Sequence, residues 1–209
     1  MTRSRVTGVV LAAGEGRRMG MPKALVDTGD GTSWLTRTVR EVQAGGCTEV
    51  LVVVGAEATR VQASYAGPPV TFAVSEHWER GMAASLRTAL ETLAAAEDPA
   101  DAALIMLVDL PDVGADVVRR VVEHAGSPEC AEDCVSVLAR ASYDGRLGHP
   151  VLVGRAHWPA MAATSSGDEG GRRYLAAHGA VLIEYDALPI WAVTRTRPPA
   201  PPDRNRLSA

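Results

Sequence analysis

The residues with the most chemical content stand together near the start of the chain. Residues 11–23, LAAGEGRRMGMPK, leave an apolar run through a glycine turn and then deliver Arg17, Arg18 and Lys23. Gly14 and Gly16 let the backbone turn sharply and present its own N–H groups to an anion. Arg18 supplies a planar fork suited to phosphate oxygens, and Lys23 a compact ammonium. The combination describes a polyphosphate cradle. It is not a P-loop, because the glycines lack the required spacing and no Ser or Thr follows the lysine. A dinucleotide fingerprint would need glycine at position 19, where Met19 stands. Taken alone, the loop also reads as a solvated glycine turn that binds nothing.

Further polar residues fall where ligands are met. Asp109 sits at the carboxyl end of the apolar run AALIMLVDLPD, the usual ligand edge of an open α/β sheet. Asp112, just before the next helical segment, reads more simply as its N-cap. Asp168 and Arg172 stand at the start of a short helical segment, where backbone N–H groups favour anions. His149 precedes Pro150 at a loop-to-strand junction and reads equally as a ligand contact or a structural residue. Trp34, Trp158 and Trp191 read as packing residues.

These positions need elements to hold them, and the sequence supplies an alternation of apolar runs with helically spaced segments. VTGVVLA, EVLVVVG, VTFAV and AALIMLVDLPD have strand length, and SWLTRTVREVQAGG, GMAASLRTALETLAAA and Ala115–His124 have helical spacing. A short amphipathic piece runs to Tyr65. CVSVLAR and GHPVLVGR are expected as strands with ASYDGRLG as the connection between them, and GDEGGRRYLAAHG as a glycine-bounded helix. The alternation is that of an α/β fold with a mostly parallel sheet. One domain over residues 1–190 is expected. A Pro/Arg-rich tail at 191–209 carries almost no apolar residue and is expected to be extended or disordered.

Composition bounds the partners. The 209 residues carry a formal net charge of −4, which argues against a protein that holds nucleic acid by bulk phosphate neutralisation. The three cysteines, Cys47, Cys130 and Cys134, fit neither a disulfide framework nor a structural zinc site, so a cytoplasmic setting is the simpler expectation. No stretch approaches the roughly 20 apolar residues that cross a bilayer, so no membrane association is expected.

The loop LAAGEGRRMGMPKALV resembles the signature of the molybdenum-cofactor nucleotidyltransferases, in particular the cytidylyltransferase branch, whose pattern is L-A-A-G-x-S-x-R-M-G-x-P-K-x-L-L. VSEHWERGMAASLRTAL, LVDLPDV, YDGRLGHPVLVGR and SSGDEGGRRYL resemble that family's later motifs in order, so the likeness covers roughly residues 5–185. It implies a Rossmann-like three-layer sandwich of the nucleotide-diphospho-sugar transferase type. It also implies transfer of CMP from CTP to the phosphate of molybdopterin with release of pyrophosphate. Arg18, Lys23 and Asp109 would then be catalytic, with Asp109 holding Mg²⁺. Leu11, Ala12, Ala13, Gly14, Gly16, Arg18, Lys23, Gly81 and Ser85 would line the nucleotide, and His149, Asp168 and Arg172 the acceptor. The family's terminal Asp-x-Asp-Thr-Pro is replaced here by WAVTRTRPPAPPD. Asp186 or Asp168 substitutes for the lost carboxylate, or the reading frame is altered near the end, or the chain is a nucleotide-binding accessory for a molybdenum hydroxylase apoenzyme. A transferase for another phosphorylated acceptor is a further alternative.

Overall fold

The computed structural model describes residues 4–127 and 134–185. Seven strands form one sheet: β1 (Val6–Leu11), β2 (Glu49–Val54), β3 (Thr71–Val74), β4 (Ala102–Leu107), β5 (Leu138–Tyr143), β6 (Arg146–Gly154) and β7 (Val181–Tyr185). Their order across the sheet is β3-β2-β1-β4-β6-β5-β7. β1 pairs in parallel with β2 and β4, and β2 with β3. β6 runs antiparallel to both β4 and β5, and β5 is parallel to β7. Only β6 is therefore reversed, so the carboxyl ends of β1, β4 and β5 open on the same edge of the sheet.

Every residue of β1 and β4 is buried. Successive strand side chains point to opposite faces, so both faces of the central strands must be covered. The cover comes from α1 (Trp34–Ala44), α2 (Ala58–Ser64), α3 (Met82–Ala94), α4 (Ala115–His124), α5 (Trp158–Thr164) and α6 (Arg172–Ala177). α1 packs beside α4, and α3 beside α5. The first pair is close enough that a Cβ on Gly45 would meet Val118 Cγ1 at 2.2 Å. Arg87 of α3 ties the second pair by donating to the carbonyls of Ala162 and Ser165. With one Phe in the chain, the core is built from Val, Leu and Ala, as the composition requires.

In the second half of the sheet all but the last residue of GHPVLVGR lies in β6 as expected, and the differences are elsewhere. The stretch expected as a strand from Cys134 begins as a 3-10 turn over Cys134–Ser136, and β5 starts only at Leu138. The expected long connection is absorbed into the two strands, leaving Asp144 and Gly145 as a two-residue turn with φ of 49° and 72°. Both central residues at positive φ make the turn match the strand twist of a hairpin. α5 and β7 are further elements that the reading did not anticipate. The tail expected from residue 191, Trp191, Asp186 and Cys130 lie outside the described residues. Among the described residues, no helix is long and apolar enough to cross a membrane.

Candidate functional site

The glycine loop leaves β1 while still bonded to its neighbour. Ala12 N–H donates to Val53 O at 2.8 Å, and Ala56 N–H donates to Ala13 O at 2.9 Å. Leu11, Ala12 and Ala13 are buried by this zipper, and the chain turns out to solvent only at Gly14. A Cβ at Gly14 would have open space around it, whereas one at Gly16 would stand 1.9 Å from Met21 O. Gly16 has φ +67° and its carbonyl accepts from Met19 N–H and Gly20 N–H, at 2.7 and 3.0 Å. Glycine is required there by both conformation and space. Arg18 is exposed on this turn.

Arg17 is engaged differently. Its guanidinium bonds to the Glu15 carboxylate, which raises its pKa through that hydrogen bond and then through charge, with Asp168 adding a smaller attraction.

Lys23 opens a 3-10 turn, Lys23–Leu25, which the buried Ala24 anchors in the core. Its Nζ donates to Asp109 Oδ2 at 2.7 Å, with side chains 29% and 13% exposed respectively. Asp109 arrives there because the turn after β4 is bonded back to β1, Val108 N–H donating to Leu11 O at 3.2 Å, while Val108 and Leu110 on either side sink into the core. Two parts of the sequence expected to meet one substrate are thus in direct contact at the shared end of adjacent parallel strands. Asp112 does not cap α4, whose N-cap is Gly114. The Ala115 N–H is instead taken by Glu41 Oε2 of α1, at 2.8 Å. Burial raises the Asp112 pKa, and Arg37 partly offsets it.

Beside the loop lies a cleft of about 380 Å³ lined by Glu15, Arg17, Gly20, Ala56, Glu57 and Trp78. Trp78 closes its side by packing onto Gly55, where a Cβ would meet the indole at 2.6 Å. Gly81 follows with φ +98°, and Asp168 Oδ1 lies 2.7 Å from where its Cβ would be. The structure therefore brings Gly81 and Asp168 together. Ser85 is buried in the first turn of α3.

His149 lies on β6, in the other half of the sheet, and Arg172 on α6. The His149–Pro150 peptide is cis, and the His149 carbonyl accepts from Tyr143 Oη at 2.6 Å. Asp168 lies in the 3-10 turn Gly167–Glu169, and Arg172 opens a helix of only six residues. The anion-favouring helix start expected for these two is therefore too short to act as one. Glu15, Gly20, Ala56, Glu57 and Trp78 line the cleft without being among the residues expected from the sequence. For Trp78 there was a signal, since the quoted motif includes it.

Among the described residues, no group of three or more His, Cys, Asp or Glu is placed to hold a metal ion. Asp109 alone fits a cation that takes one or two carboxylates and completes its shell with water and substrate phosphate. The chemistry of this donor set suits a divalent cation that brings further oxygen ligands with it rather than one held by the protein alone.

Known proteins agree with this architecture. Nicotine blue oxidoreductase of Paenarthrobacter nicotinovorans is 35% identical over 176 residues, covering 81% of each chain. The Rv0371c protein of Mycobacterium tuberculosis superposes with a TM-score of 0.73 at 28% identity, covering 90% of this chain and 91% of that one. A second structure of that protein, in complex with manganese, gives a TM-score of 0.66 at 28% identity over 89% of both chains. The expected nucleotide-diphospho-sugar transferase type of α/β fold is the fold of these neighbours. Residues 8–181 match the family model for the MobA-like NTP transferase domain, and the chain belongs to that family of nucleotidyltransferases.

Proposed function

We propose that the chain moves CMP from CTP to the phosphate of molybdopterin, releasing pyrophosphate. The observation that carries the transfer reading is the Lys23–Asp109 contact beneath the glycine loop, where β1 and β4 end together. An acceptor phosphate oxygen attacks the α-phosphorus. The new P–O bond forms as the bond from that phosphorus to the bridging oxygen of pyrophosphate breaks. Protein catalysis of such a step is mostly alignment and charge neutralisation. Arg18 and Lys23 would hold the triphosphate, with the backbone from Gly14 to Gly16 beside it. Gly81 and Ser85 would lie against the base, and His149, Asp168 and Arg172 toward the acceptor. Asp109 would hold Mg²⁺, which when bound supplies positive charge to the departing pyrophosphate. The manganese complex of the mycobacterial neighbour supports a divalent metal. The Ala-Ala-Gly and Pro-Lys forms of the loop favour cytidine over guanosine.

The test is pyrophosphate release with Mg²⁺ across the four ribonucleoside triphosphates, with and without molybdopterin. Release that needs CTP and molybdopterin together, and that Asp109→Ala abolishes without unfolding the chain, is expected. Tight CTP binding with no release under any condition would refute transfer and leave a nucleotide-binding accessory of a molybdenum hydroxylase. The named activity of the 35% identical relative favours a second reading, an oxidoreductase. Protein-dependent reduction of nicotine blue by NADH or NADPH, with no pyrophosphate formed, would select it.

A further inference from the structure

The connection from β2 to α2 holds a residue in a conformation that its type does not favour. Glu57 has φ 49° and ψ 36°, in the left-handed region. Among the described residues the one other non-glycine residue at positive φ is Asp144, where the hairpin turn between β5 and β6 demands it. Glycine would adopt the Glu57 conformation freely, so the turn itself does not call for a side chain. Strained positions of this kind gather at ligand sites, and Glu57 lines the cleft of about 380 Å³ beside the glycine loop, together with Glu15, Arg17 and Trp78. A carboxylate next to a loop read as a triphosphate cradle needs a partner of its own. Glu15 has one in the Arg17 guanidinium. Glu57 is half satisfied: Arg60 Nη1 donates to Oε2 at 2.7 Å, while Oε1 takes no hydrogen bond among the described residues. The same cleft has an aromatic wall in the half-buried Trp78, which opens the 3-10 turn leading to Gly81.

We propose that Glu57 selects the base of the nucleotide, its carboxylate accepting from the exocyclic amino group of a ring that lies along Trp78. The inference rests on the nucleotidyl-transfer reading and deepens it by naming the group that tells cytosine from uracil. Where cytosine carries an amino donor, uracil carries a carbonyl oxygen. A carboxylate accepts from the first and repels the second, so one side chain supplies both the attraction and the rejection. Sites that read a polar group in this way discriminate far more sharply than apolar pockets do. The placement agrees. Gly81, read above as lying against the base, closes the turn that Trp78 opens, its N–H donating to Trp78 O at 3.1 Å. Ala56 N–H is bonded to Ala13 O, which fixes the stretch carrying Glu57 to the start of the glycine loop. Base and phosphates would therefore be met by two parts of one hydrogen-bonded unit. Arg60 acts as a positioning residue, holding the carboxylate by one oxygen and leaving the other for the ligand.

The experiment titrates CTP and UTP, each with Mg²⁺, into the full chain by calorimetry, for the wild type, Glu57→Gln and Glu57→Gly. The wild type is expected to bind CTP roughly tenfold or more tightly than UTP. In Glu57→Gln the amide can donate to the uracil carbonyl as well as accept. The ratio should fall to within about threefold, with UTP bound more tightly than by the wild type. A gain for one nucleotide beside a loss for the other is a result that general damage to the site does not produce. Glu57→Gly relieves the positive φ, so it should lose the preference for CTP at an unchanged or raised melting temperature. A ratio that neither substitution alters overturns the proposal, as does a wild type that binds the two nucleotides equally or binds neither. Equal weakening of both nucleotides in Glu57→Gln also overturns it, by placing the residue on the phosphates or in the fold. Pyrophosphate release separates the inference from the reading beneath it. A preference for CTP that moves with Glu57 in a chain that releases no pyrophosphate refutes transfer alone. Release from CTP and molybdopterin, with the nucleotide ratio unmoved by either variant, refutes the role of Glu57 alone.

Discussion

The Lys23–Asp109 pair sets the resting state of the candidate site. At 2.7 Å, and with Asp109 mostly shielded, the ammonium neutralises the carboxylate that the transfer reading assigns to the metal. A divalent metal arriving alone must displace it. Arriving with a triphosphate, it comes with a new anion for Lys23. Lys23→Met is therefore expected to lower turnover by roughly two to three orders of magnitude while tightening the binding of Mn²⁺ to the nucleotide-free protein, followed by electron paramagnetic resonance. Unchanged Mn²⁺ affinity would show that Lys23 does not compete with metal. The glycines of the loop separate conformation from contact. Gly16→Ala places a methyl on Met21 O at positive φ, and strain of about 1–3 kcal/mol should disorder the turn and weaken nucleotide binding. Gly14→Ala has open space, so it should leave the melting temperature unchanged and weaken CTP only if the phosphates approach that backbone. These residues were legible because their types, spacing and order along the chain identify them. Ala56 and Glu57 were not. Two residues in the connection after β2 carry no spacing, and their place beside the loop appears only when Ala56 N–H is bonded to Ala13 O.

At the scale of elements, the first half of the sheet followed from hydrophobic pattern, and the second did so only over the apolar end of β6. β1, β2 and β4 are continuous apolar runs, and such runs are what a parallel sheet covered on both faces demands. β5 and β6 are an antiparallel hairpin carrying Arg140, Ser142 and Arg146 among their strand residues, so polar residues masked their ends. The Asp144–Gly145 pair was the available signal, since that dipeptide favours positive φ at both positions of a two-residue turn. The helix starts were harder still. Ser33 caps α1 in the ordinary local way, its Oγ accepting from Thr36 N–H at 3.1 Å. α4 begins at Gly114 with no side-chain cap of its own, and Glu41 reaches over from α1 to take the first N–H. No local rule could assign that carboxylate. Glu41→Ala should cost about 1 kcal/mol, as loss of a cap does, and Ser33→Ala a similar amount, both measured by urea unfolding. The Glu41 change should act on α4, seen as faster amide exchange at Ala115 and its neighbours, with α1 unaffected. Exchange that quickens in α1 instead would place the role of Glu41 within its own helix.

At the scale of the whole molecule, the site depends on β1 and β4 staying in register, and their support is packed closely enough to be tested by pH. Gly8 of β1 has no room for a side chain, because a Cβ would meet Val42 Cγ1 of α1 at 2.4 Å and Cys47 Cβ at 3.3 Å. Cys47 is wholly buried at this junction, and burial pushes its thiol from 9.0 up to about 12. The folded protein therefore keeps a proton that the unfolded chain releases above pH 9. Below pH 9 both states hold it and the thiol has no effect on the pH dependence of stability. As the pH rises from 9 toward 12, the unfolded state is favoured by about 1.4 kcal/mol for each pH unit. Cys47→Ala removes that slope at the cost of a small cavity, about 1 kcal/mol at neutral pH. Wild type should thus be the more stable at pH 7, and the difference should shrink and then reverse as the pH climbs through 10. Tyr65, raised to about 12 by burial, titrates in the same range in both proteins, so its effect cancels in the comparison. Urea midpoints of the two proteins at pH 7, 9 and 10 are the measurement. A constant gap would mean that the thiol ionises freely in the fold, and hence that water reaches the junction of β1 and α1 on which the glycine loop is mounted.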